Sequence, residues 1–237
     1  MSGHSKWAQI KRSKGAKDAK RGVLFSKLSK KITMAAKAGG SSDPNLNFQL
    51  RSEWDSARSE GMPLENIERA AKKAFGTDAV SITEVVYEGY GPYGTAFIVE
   101  VATDSTNRAV QNIKHIFSKH SGTLGAMGSV AWQFQTKGQI LIERTAEIDT
   151  IQMAAIEAGA DDVKESAEGL EVYTQPEDLQ TIRNILEKAG AKVAQVQIVK
   201  LSTQGINLAE DQREKVHALL AELEDYEDVL AVHTSMN

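Results

Sequence analysis

Eleven Lys or Arg side chains crowd the first 40 residues, against a single acid, Asp18. They are Lys6, Lys11, Arg12, Lys14, Lys17, Lys20, Arg21, Lys27, Lys30, Lys31 and Lys37. The chemistry such a run performs is phosphate neutralisation, because each cation that meets a phosphate releases a condensed counterion. Trp7, set among these cations, can stack on an unpaired base, which is worth roughly 1–3 kcal/mol where it occurs. It can equally anchor the arm to a helical core, and both readings stand. Residues 1–40 carry a net charge of +10 and the remaining 197 residues a net −14, so a basic end meets a polyanion while an acidic body stays solvated. A transit peptide favours Arg over Lys, and this run has nine Lys to two Arg.

Other chemistries fare worse. The chain has no cysteine, which removes disulfides, thiol nucleophiles and Cys-based metal sites together. His115 and His120 are five apart on one helix and do not share a face as a ligand pair would. Gly89-Tyr90-Gly91-Pro92-Tyr93-Gly94 matches the dinucleotide fingerprint letter for letter. That fingerprint needs a helix after it, whereas Thr95–Ala102 alternates like a strand, so the segment reads as a hairpin turn. There is no Gly-Lys-Ser/Thr phosphate loop and no G-x-S-x-G elbow. No catalytic residue, metal site, cofactor or small-molecule substrate is expected. The acidic run Glu222, Glu224, Asp225, Glu227 and Asp228 reads as a solvated helix end rather than a docking site.

These residues need elements to hold them. Leu24, Leu28, Ile32 and Ala35 recur at helical spacing, which predicts a helix over 23–38 ended by Gly39-Gly40, with Lys27, Lys30, Lys31 and Lys37 on the opposite side. Two more helices follow, about 46–60 and 64–75, parted by Gly61-Met62-Pro63. Strands at 83–88 and 95–102, a helix capped by Asp104 or Ser105, and a strand at 129–134 come next. Residues 139–200 read βαββαβ, with both helices closed by Ala-Gly-Ala, the order of a ferredoxin-like unit. A helix at 208–223, capped by Asn207 with Glu210, and a strand at 229–234 finish the chain. The expected fold class is α+β in three domains. These are a basic arm and all-helical domain (1–80), a ferredoxin-like-type α/β domain (81–135 with 206–237), and a second such domain inserted in it (136–205). No apolar run reaches the length of a membrane span and no secretory signal is read, so a cytoplasmic protein without a membrane partner is expected.

Several stretches together carry a resemblance. Gly3-His4-Ser5-Lys6-Trp7-Ala8, Asp18-Ala19-Lys20-Arg21-Gly22 and Met62-Pro63 with Asn66-Ile67-Glu68-Arg69-Ala70 resemble the YebC/PmpR family. So do Tyr87-Glu88-Gly89-Tyr90-Gly91-Pro92, Asn107-Arg108, and the segment from His115 through Gly128-Ser129-Val130 to Phe134. Gly61, Leu64, Ser105 and Ser121 depart from the usual pattern. The resemblance implies three domains, the last inserted in the second, and a cytoplasmic DNA-binding transcriptional regulator rather than an enzyme. It also implies kinship with a mitochondrial activator of translation of cytochrome oxidase subunit 1, and bacterial members are linked to the ribosome. Because the chain begins at the opening motif, the organelle presequence of that branch is expected to be absent.

The candidate nucleic-acid-binding set is therefore His4, Lys6, Trp7, Lys11, Arg12, Lys14, Lys17, Lys20, Arg21, Lys27, Lys30 and Lys31, with Asn66, Arg69, Lys72 and Lys73 as secondary candidates. Two partners remain. If the helix pair 46–60 and 64–75 is a helix-turn-helix, those secondary residues read duplex DNA, although Glu53, Asp55, Glu60, Glu65 and Glu68 crowd it. If the arm grips folded RNA such as ribosomal RNA, shape and phosphate recognition suffice.

Overall fold

The computed structural model describes residues 19–75, 82–145 and 147–236. Helix α1 (Ala19–Ala38) buries Leu28, Ile32 and Ala36, one per turn. It closes at Gly40, whose φ of 67° a side chain would resist. Asn47 then does two jobs. Its side-chain oxygen caps α2 (Phe48–Ser59) by accepting from Leu50 N at 3.0 Å, and its amide donates to Ala35 O at 2.9 Å and Ser41 O at 3.1 Å. The end of α1 is thus tied to the start of α2. Helix α3 (Leu64–Lys73) follows Pro63, whose carbonyl receives the first turn's N–H groups, and buries Ile67, Ala70 and Ala71 against Leu28, Ile32 and Leu50. Half-buried Leu24, Phe25 and Trp54 border this core.

The helical segment belongs to one compact unit with a four-stranded sheet, the described part of that unit being 19–75, 82–130 and 208–232. The sheet order is β3 (Thr123–Leu124), β1 (Thr83–Tyr90), β2 (Ala96–Thr103) and β8 (Val229–Thr234). Strands β1 and β2 run antiparallel from Thr83 opposite Thr103 to Tyr90 opposite Ala96. The glycine-rich segment between them is a hairpin turn, with a short 3-10 turn at Pro92–Gly94 and no helix after it. Helices α4 (Thr106–Lys119) and α7 (Glu210–Asp225) supply Ile113, Phe117, Val216, Leu219 and Leu223 to the core. Phe97 and Phe117 meet there edge-on at 5.8 Å. Ser105 caps α4, as its sequence suggests.

The second unit comprises, among described residues, 131–145, 147–207 and 233–236. Its sheet is antiparallel throughout, in the order β5 (Asp162–Glu165), β6 (Gly169–Thr174), β4 (Phe134–Glu143), β7 (Val193–Ser202). Helices α5 (Ile148–Glu157) and α6 (Leu179–Lys188) cover one face through Ile140, Ile142, Leu170 and Val172. Chain order βαββαβ with this strand order is the split βαβ, or ferredoxin-like, arrangement. The molecule is α+β, a helical N-terminal region followed by two α/β sheets.

Three local expectations need correction. No strand fills 129–134: Ala131–Gln133 is a 3-10 turn, strand β4 starts at Phe134, and the edge strand β3 lies earlier at Thr123–Leu124. The reason is Glu88, whose carboxylate accepts from Gly128 N at 2.7 Å and Val130 N at 2.8 Å, drawing those amides out of any ladder. Helix α7 is capped at Ala209 and not Asn207, with Gln212 Oε1 accepting from Ala209 N at 3.2 Å. Finally, Lys27 and Lys30 do not stand on a solvated side of α1; they are half-buried.

Candidate nucleic-acid interface

Helices α1 and α3 pack closely but leave a groove of about 410 Å³ along their seam. Thr33, buried, sets its depth: its hydroxyl shares one proton between Ser29 O on its own helix and Ala70 O on α3, each at 2.9 Å, and the second bond joins the two helices. From α1 the groove receives Phe25, Ser26, Ser29 and Lys30. From α3 come Asn66, Arg69 and Lys73, and Met62 lies just before that helix. Asn66, Arg69 and Lys73 occupy one face at i, i+3 and i+7. Arg69 donates to Asn66 Oδ1 at 3.1 Å, which holds the guanidinium along the rim. Arg69 and Lys73 are exposed, and no acid lines the groove among described residues. Lys72 points elsewhere, 3.9 Å from Glu68 across one helical turn.

Lys30 is shared between this groove and the acidic run. Its ammonium bonds the Asp228 carboxylate and donates to Glu227 O at 2.9 Å. Lys27 donates to Glu224 O one turn earlier. The acidic run, read from sequence as a solvated helix end, is therefore in part a docking site for helix α1. Asp228 is 1% exposed and also accepts from Thr103 Oγ1 at 3.0 Å, Tyr226 Oη at 2.9 Å and Arg108 at 3.2 Å. Burial pulls its carboxyl upward, yet the hydrogen bonds from Lys30, Tyr226 and Arg108 leave it below the ordinary value of 3.8. Burial pushes the Lys27 ammonium down to about 8, against the opposite pull of Glu224 and Asp225. Glu222 meanwhile holds Lys119 at 2.8 Å and His120 at 2.7 Å, and those bonds keep its carboxyl low.

Residues 82–236 match the family described as TACO1/YebC second and third domain, and residues 5–77 match the TACO1/YebC protein N-terminal domain. The chain belongs to the TACO1/YebC family. A relative from Desulfosudis oleivorans is 49% identical over 99% of this chain and 96% of its own, and is named a probable transcriptional regulatory protein. One from Thermus thermophilus bears the same description at 45% identity over 100% of this chain and 97% of its own. A crystal structure of a conserved hypothetical protein from Aquifex aeolicus superposes with a TM-score of 0.83 at 38% identity, over 93% of this chain and 91% of that one.

Of the candidate residues, the structure brings Lys30, Asn66, Arg69 and Lys73 to one groove and leaves Lys72 out of it. Lys27 is turned to the Glu224 carbonyl, Lys31 is half-buried on α1, and Arg21 is exposed at its start. His4, Lys6, Trp7, Lys11, Arg12, Lys14 and Lys17 lie outside the described residues, as does the Lys20 side chain. Sequence reasoning missed Ser26, Ser29 and Thr33. Their signal was present: Gly22, Ser26, Ser29 and Thr33 form a stripe of small residues at helical spacing, beside the Leu24–Leu28–Ile32 stripe that was read as core. Among described residues no helix is long and apolar enough to cross a membrane, and no group of three metal-ligating side chains is assembled.

Proposed function

We propose that this chain is a nucleic-acid-binding regulator of gene expression that acts in the cytoplasm without catalytic turnover. The observation that carries the reading is the pair Arg69 and Lys73, exposed at a groove whose described lining holds no acid, in a body that is otherwise strongly acidic. Cations segregated in this way attract phosphate. The basic residues of the first 40 positions extend the same electrostatic footprint. The relatives' name, probable transcriptional regulatory protein, supports a DNA-binding transcriptional regulator.

A second reading, an RNA- or ribosome-binding translation factor using the same basic arm, is favoured by one observation. A recognition helix must project its reading residues into a major groove, whereas Asn66, Arg69 and Lys73 line a recess shared with α1. The test is a competition titration of the full chain against matched duplex DNA and ribosomal RNA at two salt concentrations. Preference for one duplex sequence over scrambled duplex supports transcription, and preference for RNA supports translation. Binding to neither overturns the proposal.

A further inference from the structure

We infer that the α1–α3 groove receives one unpaired nucleotide of a single-stranded nucleic acid, with its phosphate on Arg69 and Lys73 and its base toward the Phe25 wall. The inference rests on the nucleic-acid reading above and narrows its ligand. Size is the first argument. A volume of about 410 Å³ lies within the range of sites that enclose whole small molecules. That is far more space than a phosphate group alone fills.

The chemistry is the second argument, because it is graded across the groove as a nucleotide is graded along its length. Arg69 and Lys73 stand together on α3, and Lys73 makes no ion pair among described residues. The Ser26 and Ser29 hydroxyls and the Asn66 amide nitrogen have no hydrogen-bond partner among described residues. They offer donors and acceptors to a sugar or a base edge. Phe25 and Met62 give an apolar wall. A simple phosphate clamp would need the cations alone.

Shape disfavours the duplex. Its bases are stacked inside, so one can enter a concave seam only by flipping out, at a cost of a few kcal/mol. An unpaired nucleotide is already splayed and pays none of that. The Thr33 bond to Ala70 O ties the two helices together beneath the groove, so the groove is preorganised.

The full chain should be titrated with a single-stranded RNA, a single-stranded DNA and the matching duplex, each labelled, with adenosine 5′-monophosphate and inorganic phosphate as separate competitors. R69Q/K73Q should weaken single-strand binding about 10- to 100-fold, the loss of two charge-assisted contacts, and duplex binding far less. S26L fills the groove while keeping every cation and should lower the ratio of single-strand to duplex affinity. The mononucleotide should displace the single strand at concentrations where phosphate does not. Equal displacement by both competitors, or variants that weaken single strand and duplex alike, overturns the inference while the nucleic-acid reading stands. Failure of the unmodified chain to bind any of the three overturns that reading as well. The RNA and DNA arms then report whether the 2′-hydroxyl is read.

Discussion

Asp228 is one carboxylate serving three elements. It receives Lys30 from α1, Thr103 from the end of β2 and Arg108 from α4, with Tyr226 beside it. Removing a buried charge that partners several groups leaves them unpaired, and such losses run to about 3–5 kcal/mol. Because Lys30 is 17% and Arg108 49% exposed, water recovers part of that, so Asp228→Ala should cost on the order of 3 kcal/mol by urea unfolding. A folded-state pKa below 3.8 means that the unfolded chain binds the proton more readily, so this stabilisation is present above pH 4 and drains as pH falls through the folded value. Lys27 has the opposite consequence. With its pKa brought from 10.5 to about 8, the folded state pays for holding the charge, and stability from this group rises as pH climbs from 8 to 10.5. Lys27→Met should therefore stabilise by about 1 kcal/mol at pH 7 and lose that advantage by pH 10, as paired melts at the two pH values would show.

The elements show what a sequence makes legible. Helix α1 was readable because Leu24, Leu28, Ile32 and Ala35 recur at helical spacing, a local property, although the structure buries Leu28, Ile32 and Ala36. Which residues face Lys27 and Lys30 is not local: Glu224 and Asp228 lie nearly 200 positions away, and nothing in either stretch names the other. The same limit hid the groove. Arg69 and Lys73 could be listed from α3, but the small-residue stripe opposite them became a groove wall only when α1 packed there. The 129–134 strand failed for a related reason, since Glu88 holds that loop from 40 positions upstream. In contrast, βαββαβ in the second unit was legible throughout, because each helix there closes on a glycine at φ 88° before its strand. Thr33 is the element-scale test. Thr33→Val keeps its shape and removes the hydroxyl that joins α1 to α3, so it should cost about 1 kcal/mol. Faster amide exchange at the C-terminal turn of α3 than elsewhere in the helical core would identify the seam as the place that loosens.

At the scale of the whole molecule the decisive property is charge asymmetry, +10 in the first 40 residues against −14 in the rest. Inside the fold, part of the basic side is already spent: Lys27 and Lys30 sit on Glu224 and Asp228, so α1 offers less free charge than its composition suggests. Any affinity for a polyanion then draws on the remaining cations of the first 40 residues, together with Arg69 and Lys73. If about six to eight of these meet phosphates, log affinity should fall against log salt with a slope near −5 to −7. Deleting residues 1–17 removes five of the eleven cations, namely Lys6, Lys11, Arg12, Lys14 and Lys17. Since each lost contact reduces the slope by about one, the shortened chain should retain a slope between about zero and about −2, and R69Q/K73Q in that background should remove what is left. The two changes act on separate stretches of chain, so their effects on the slope should add. A slope that survives deletion undiminished would move the phosphate contacts off the arm and onto the helical face. A slope unchanged by R69Q/K73Q would confine them to the arm. The salt dependence of binding in four proteins, the full chain and the shortened chain each with and without the double substitution, therefore apportions the electrostatic grip between the two regions that the fold brings into one polypeptide.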